Sequence, residues 1–202
     1  MYIAGFIDDK NNSFSDYTYA LSEYGIELIC TDKKMSKSDI YEWILENKIE
    51  FLFIDHKLIP KYDFVGTELL AYLNQRLPDM YFAILTSYKT DSLEDKLVPE
   101  AFTIDRKIFN EIDLSNFAKE IIYYIEIFRN RLKLLVNKYE ELFDKRKTDF
   151  LTFDEEEELK YDFKILKSYG EIDEIPIDFL NQNVNAKLDK ILMDLDKVLK
   201  DD

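Results

Sequence analysis

Phe51-Leu52-Phe53-Ile54-Asp55 decides how this chain is read: four apolar residues in a row run without a polar break into a carboxylate. A strand that is apolar at every position is covered on both faces, as a central strand of a parallel sheet is. Such a strand presents its last residue at the carboxyl edge of the sheet, which places Asp55 there. The same pattern lies on either side. Upstream, Tyr2 to Ile7 runs into Asp8 and Asp9; downstream, Met80 to Leu85 ends at Thr86, and Ala101 to Ile104 precedes Lys107.

Between these runs the apolar residues recur at helical spacing. Phe14 to Tyr24 reads as a helix stopped by Gly25, Ile26 to Cys30 as a second strand, Ser38 to Asn47 as a helix, and Gly66 to Arg76 as a helix that ends before Pro78. Alternating strands and helices predict an α/β domain built on a five-stranded parallel sheet, spanning residues 1–112.

From Leu114 the strand pattern stops. Leu114, Phe117, Ile121, Ile125, Phe128, Leu132, Leu135, Tyr139 and Leu142 follow at steps of three or four, predicting one long heptad-patterned helix over about 114–144. A polar break at Lys145 to Asp149 follows. Thr152 and Glu155 have capping-box spacing before a helix carrying Leu159, Phe163 and Leu166. A last helix is expected after Asp178, with Val184, Leu188, Ile191, Leu195 and Val198 on one side. Residues 113–202 are thus read as a helical extension, its stripe forming either the seam of a homodimer or an intramolecular bundle.

Composition narrows the function. The 202 residues carry a net charge of −15, and an acidic surface repels a phosphate backbone, so no direct nucleic-acid binding is expected. Hydrophobic residues make up 47% of the chain, which is a folded rather than a disordered composition. No apolar run approaches the roughly 20 residues needed to span a bilayer, and no export signal is visible. Cys30 is the single cysteine, so no internal disulfide can form, and a cytoplasmic location is expected.

The chemistry lies in where the polar residues fall. Asp8, Asp9, Asp55, Thr86 and Lys107 all follow strands, and in an open parallel sheet ligands bind outside the carboxyl ends of the strands. Three carboxylates converging there repel one another, and a hard cation with a preference for oxygen, Mg²⁺ above all, relieves the repulsion. A cation, a hydroxyl and an ammonium around Asp55 would let that carboxylate act as a nucleophile toward a phosphoryl group. His56, the single histidine, is expected to be exposed at the strand end.

At these residues the chain resembles the response-regulator receiver family. Ile7-Asp8-Asp9 looks like the family's acidic pair, Leu52-Phe53-Ile54-Asp55 like its acceptor strand, and Gly66-Thr67-Glu68-Leu69 like the start of its third helix. Ile84-Leu85-Thr86 resembles the switch threonine and Arg106-Lys107 the invariant lysine. The resemblance implies a flavodoxin-like, doubly wound sheet, with Mg²⁺ held by Asp8, Asp9, Asp55 and the backbone carbonyl of Lys57. It further implies Asp55 as phosphoacceptor, Thr86 and Lys107 in contact with the phosphoryl group, and a histidine kinase or phosphorelay protein as donor. The chain would then be a signalling protein, not an enzyme, its helical tail binding a protein partner or a second copy. The chain departs from the family in a longer Asp55 to Gly66 segment, in His56 and Lys57 beside the acceptor, and in Ile108 where proline usually follows the lysine. A pseudo-receiver, an adaptor that assembles with a partner without phosphorylation, is the alternative.

Overall fold

A computed structural model describes residues 1–87, 96–111 and 113–172. Five parallel strands, β1 (Tyr2–Ile7), β2 (Ile26–Thr31), β3 (Phe51–Asp55), β4 (Tyr81–Thr86) and β5 (Thr103–Asp105), form one sheet in the order β2-β1-β3-β4-β5. Helices α1 (Phe14–Ser22), α2 (Lys37–Glu46) and α3 (Gly66–Asn74) connect the first four strands. The order reverses direction after β2, so the crossovers lie on both faces of the sheet. This is the doubly wound, flavodoxin-like arrangement expected from the sequence.

β3 is buried at all five positions because its neighbours alternate between two cores. Leu52 and Ile54 pack with Ile40, Ile44, Leu69 and Leu73 of α2 and α3. Phe51 and Phe53 point the other way, into a cluster with Leu21, Phe117, Ile121 and Ile125. The central run therefore lacks any polar face.

β5 is shorter and later than the expected strand. Glu100 to Phe102 form a 3₁₀ turn after Pro99, which leaves only Thr103 to Asp105 to pair with β4. A second 3₁₀ turn, Arg106–Asn110, follows at once, with the Asp105 carboxylate accepting from the Lys107 N–H at 2.9 Å.

The long helix α4 (Ser115–Thr148) has 34 residues, about 50 Å at 1.5 Å per residue. It runs through the expected polar break. Lys145, Arg146 and Lys147 are good helix formers, they suit the negative end of the helix dipole, and Lys145 pairs with Glu155 at 2.6 Å. Its apolar stripe is used within the chain, first against the sheet through Phe117, Ala118, Ile121 and Ile125. Further on, Tyr139 and Leu142 pack on Leu159 and Leu166 of the return helix α5 (Phe153–Ser168). Thr152 and Glu155 cap α5 reciprocally, as their spacing predicted. The expected third helix after Asp178 lies outside the described residues.

The end of α5 is fastened to the amino-terminal edge of the sheet, opposite Asp55. The Tyr169 hydroxyl accepts from the Asp79 N–H at 2.9 Å, Tyr41 donates to the Ser168 carbonyl at 2.6 Å, and the Tyr169 ring sits edge-on to Phe128. Arg129 of α4 adds a two-pronged pair with Glu50 at 2.5 and 2.7 Å, the bidentate geometry that suits guanidinium and carboxylate. Leu159 is fully buried between the two long helices. Leu159→Ala should lower stability by about 3 kcal/mol in chemical denaturation, the usual cost of removing three buried carbon atoms from a site that cannot fully collapse.

Candidate phosphoacceptor site

β1 and β3 are adjacent, with Ile7 opposite Ile54, so Asp8 and Asp55 leave the sheet side by side. One oxygen from each of Asp8, Asp9 and Asp55 lies within 4.8 Å of the others. They line a cavity of about 690 Å³ together with Lys10, Asn12, Ser13, Lys57, Lys61, Ser87 and Arg106. Asp8 is 3% exposed and Asp55 7%. Backbone donors meet both carboxylates: Lys10 N–H reaches Asp8 Oδ1 at 3.1 Å and Lys57 N–H reaches Asp55 Oδ2 at 3.1 Å.

The cation that enters this pocket is Arg106. Its Nη2 lies 2.7 Å from Asp8 Oδ2 and 2.9 Å from Asp55 Oδ1. The Lys107 side chain is 81% exposed and faces Asp105 at 3.9 Å. The expectation that Lys107 reaches the acceptor is corrected here, and the cause is the backbone. Thr86 pairs with Asp105 at the last rung of β4–β5, and the chain then turns into the 3₁₀ segment, so the first residue past the strand enters the pocket and the next points away. Period-two reading of the strand could not place either residue, because the regular strand ends one residue earlier.

Thr86 closes β4 and is 1% exposed, while its neighbour Ser87 is exposed at the cavity wall. His56 is buried rather than exposed. Its carbonyl accepts from both Gly66 N–H at 2.9 Å and Leu58 N–H at 3.2 Å, which folds the β3–α3 loop over it. The extra length of that loop brings in Lys61. Its ammonium donates to the Asp9 carbonyl at 3.1 Å and pairs with Asp32, at the end of β2, at 2.8 Å. Neither Lys61 nor Asp32 was singled out from the sequence. The signal available was that Asp32 follows a strand, as the other acids do.

Burial and crowding act on the acids. The Asp8 carboxyl is raised from 3.8 to about 6, mainly because burial disfavours its charge; Arg106 opposes this, and Asp9 and Asp55 reinforce it. Asp55 is also raised, by burial first, with Arg106 again opposing. The Arg106 charge is reinforced by Asp55 and Asp8 against the cost of its own burial. Asp8 and Asp55 share the Arg106 guanidinium, while Lys10 faces Asp9 at 3.8 Å from the cavity rim. An all-oxygen, carboxylate-rich donor set of this kind fits Mg²⁺ and not a soft metal. Asp8, Asp9 and Asp55 are the residues that would hold it, with the Lys57 segment on the cavity wall.

No protein-family model and no curated protein matches this sequence. Solved structures do resemble it. The signal receiver domain of an HD domain-containing protein from Pseudomonas fluorescens Pf-5 superposes with a TM-score of 0.50 at 13% identity, covering 65% of this chain and 92% of that one. A CheY-like response regulator receiver domain protein from Methanospirillum hungatei JF-1 gives 0.49 at 16% identity, covering 65% and 98%. With the strand order and crossovers described above, the chain has the receiver fold, followed by a helical region.

Proposed function

We propose that the chain is a signal receiver whose Asp55 accepts a phosphoryl group in a Mg²⁺-dependent reaction, and that its helical hairpin passes the signal on by binding a protein. The observation that carries this reading is the convergence of Asp8, Asp9, Asp55 and Arg106 at one sheet edge, beside an open cavity. Mg²⁺, when bound, supplies charge neutralisation for the phosphoryl oxygens and the acceptor. Asp55 supplies the attacking oxygen, held in place by the Lys57 N–H. Arg106 takes the part that the family resemblance gave to Lys107, offering a guanidinium that matches phosphoryl oxygens in pairs. Thr86 ends β4, and Ser87, directly after it, lines the cavity; a hydroxyl there would contact the phosphoryl group. The donor would be a histidine kinase or phosphorelay protein.

The output surface is the α4–α5 hairpin. Leu134, Phe150, Phe153 and Tyr161 are exposed along it, and aromatic residues in such positions favour protein partners, whether a different protein or a second copy. No described helix is long and apolar enough to cross a membrane.

Incubation with a small phosphodonor and MgCl₂ followed by intact-mass spectrometry tests the acceptor. One added phosphoryl group, lost with hydroxylamine and absent from Asp55→Asn, is the expected result. An unmodified protein under conditions that label a working receiver would leave the adaptor reading. The neutralised state of Asp55 against Arg106 is the feature that favours that second reading.

A further inference from the structure

Three consecutive residues of the loop between β3 and α3 meet three consecutive residues of the loop that follows β2. Lys61 pairs with Asp32 at 2.8 Å, the Tyr62 hydroxyl donates to the Lys33 carbonyl at 2.7 Å, and Lys34 pairs with Asp63 at 3.2 Å. Tyr62 is 1% exposed and belongs to the core with Leu58 and Phe64, so its neighbour Lys61 leaves from a fixed backbone. The Lys34 and Asp63 side chains are 60% and 84% exposed, a surface pair, whereas those of Lys61 and Asp32 are 32% and 35% exposed.

Lys61 makes a second bond, donating to the Asp9 carbonyl at 3.1 Å. That carbonyl shares one peptide unit with the Lys10 N–H, which donates to Asp8 Oδ1 at 3.1 Å. A trans peptide unit is planar, and its C=O and N–H point in opposite directions. Lys61 therefore holds one end of a rigid plate whose other end holds Asp8. The positive charge at the carbonyl also polarises the unit and strengthens its N–H as a donor. Rotation of the plate would withdraw the N–H from Asp8 and turn Asp9 at its edge, moving two of the three clustered carboxylates together.

On the reading of the pocket as a Mg²⁺ site, we infer that Lys61 is a positioning residue: it sets the Asp9–Lys10 peptide plane, and through it the directions in which Asp8 and Asp9 present their oxygens to the cation. Asp32 holds the Lys61 ammonium in place and balances its charge. Lys61 thus acts on the metal from the far side of a peptide group, without being a ligand. The long β3–α3 loop is what carries it there.

Charge and positioning predict opposite signs. Removing a positive charge near a cation site tightens metal binding, whereas removing an anchor of the ligands weakens it. The test is Mn²⁺ titration of the full chain followed by electron paramagnetic resonance, with Mn²⁺ standing in for Mg²⁺, on the wild type, Lys61→Met, Lys61→Arg and Lys34→Met. Lys61→Met should bind Mn²⁺ about fivefold more weakly, a factor in the range of one hydrogen bond. Its Lys10 amide proton should move upfield in the metal-free protein. Lys61→Arg, which keeps donors for both partners, should return affinity to within about twofold of the wild type. Lys34→Met, which loses the same charge from the neighbouring surface pair, should bind as the wild type does. Equal or tighter binding by folded Lys61→Met would overturn the inference while leaving the metal site in place. Absence of Mn²⁺ binding from the wild type would instead sink the metal reading and the inference with it. Should Lys61→Met fail to fold, Lys61→Gln, neutral and still polar, takes its place with the same expected result.

Discussion

Gly66→Ala should lower the melting temperature of this protein by about 10 °C, a loss on the order of 3 kcal/mol for a chain of this size, and should impair the acceptor pocket in whatever remains folded. A Cβ on Gly66 would lie 2.1 Å from the Asp55 carbonyl oxygen, 2.9 Å from its carbonyl carbon and 3.0 Å from His56 Cα. All three atoms are backbone, so no side chain can rotate away to make room. The clash would have to be relieved by moving the end of β3 or the start of α3. Either movement stretches the bond from Gly66 N–H to the His56 carbonyl, 2.9 Å long, which closes the loop over the buried His56. The same shift displaces Asp55 from Lys57 N–H and Arg106. Differential scanning calorimetry measures the first effect, and phosphoryl labelling of the residual folded protein the second. An alanine variant with unchanged melting temperature would show that the close approach is not maintained in solution.

The second large effect is on the pH dependence of stability in the metal-free protein. Asp8 titrates at about 6 when folded against 3.8 as the ordinary value, so between those limits the folded state binds more protons than the unfolded one. Stability contributed by protonated Asp8 is therefore full only below 3.8 and is lost as pH rises through about 6. Two units correspond to about 3 kcal/mol. Asp55 is raised too and acts in the same direction. Exposed acids such as Asp39, lowered by its hydrogen bonds to Ser36, and Glu155, lowered first by Lys145 and then by Thr152, act in the opposite direction, so the comparison must be made against a variant. In urea denaturation with a chelator present, the stability of wild type relative to Asp8→Asn should fall by about 3 kcal/mol from pH 3 to pH 7. A pH-independent difference would mean that Asp8 is not held in the buried, acid-crowded setting described.

Much of the architecture was legible because the deciding signals are local. The uninterrupted β3 run, the acids following β1 and β3, and the Thr152–Glu155 box each occupy a few consecutive residues, and each has a single physical reading. The misplaced elements depend on contacts across the sequence. Arg106 enters the pocket because a 3₁₀ turn begins one residue after Asp105, and no pattern within Thr103 to Phe109 reveals that. His56 is buried because a loop ten residues long closes on Gly66. The polar Lys145 to Lys147 stretch stays helical because α5 lies against it, with Arg146 facing Glu156 at 3.5 Å. The choice between a dimer seam and an internal bundle likewise depended on where α5 turns back, and over the described residues the stripe is covered from within the chain.

Fluorine NMR of beryllofluoride tests whether Asp55 is a Mg²⁺-dependent phosphoacceptor without needing the natural donor. The expected result is a protein-bound fluorine signal that appears only when MgCl₂ is present and is absent from Asp55→Ala. A folded wild-type protein that shows no bound signal at saturating Mg²⁺, or an equal signal from Asp55→Ala, would contradict it.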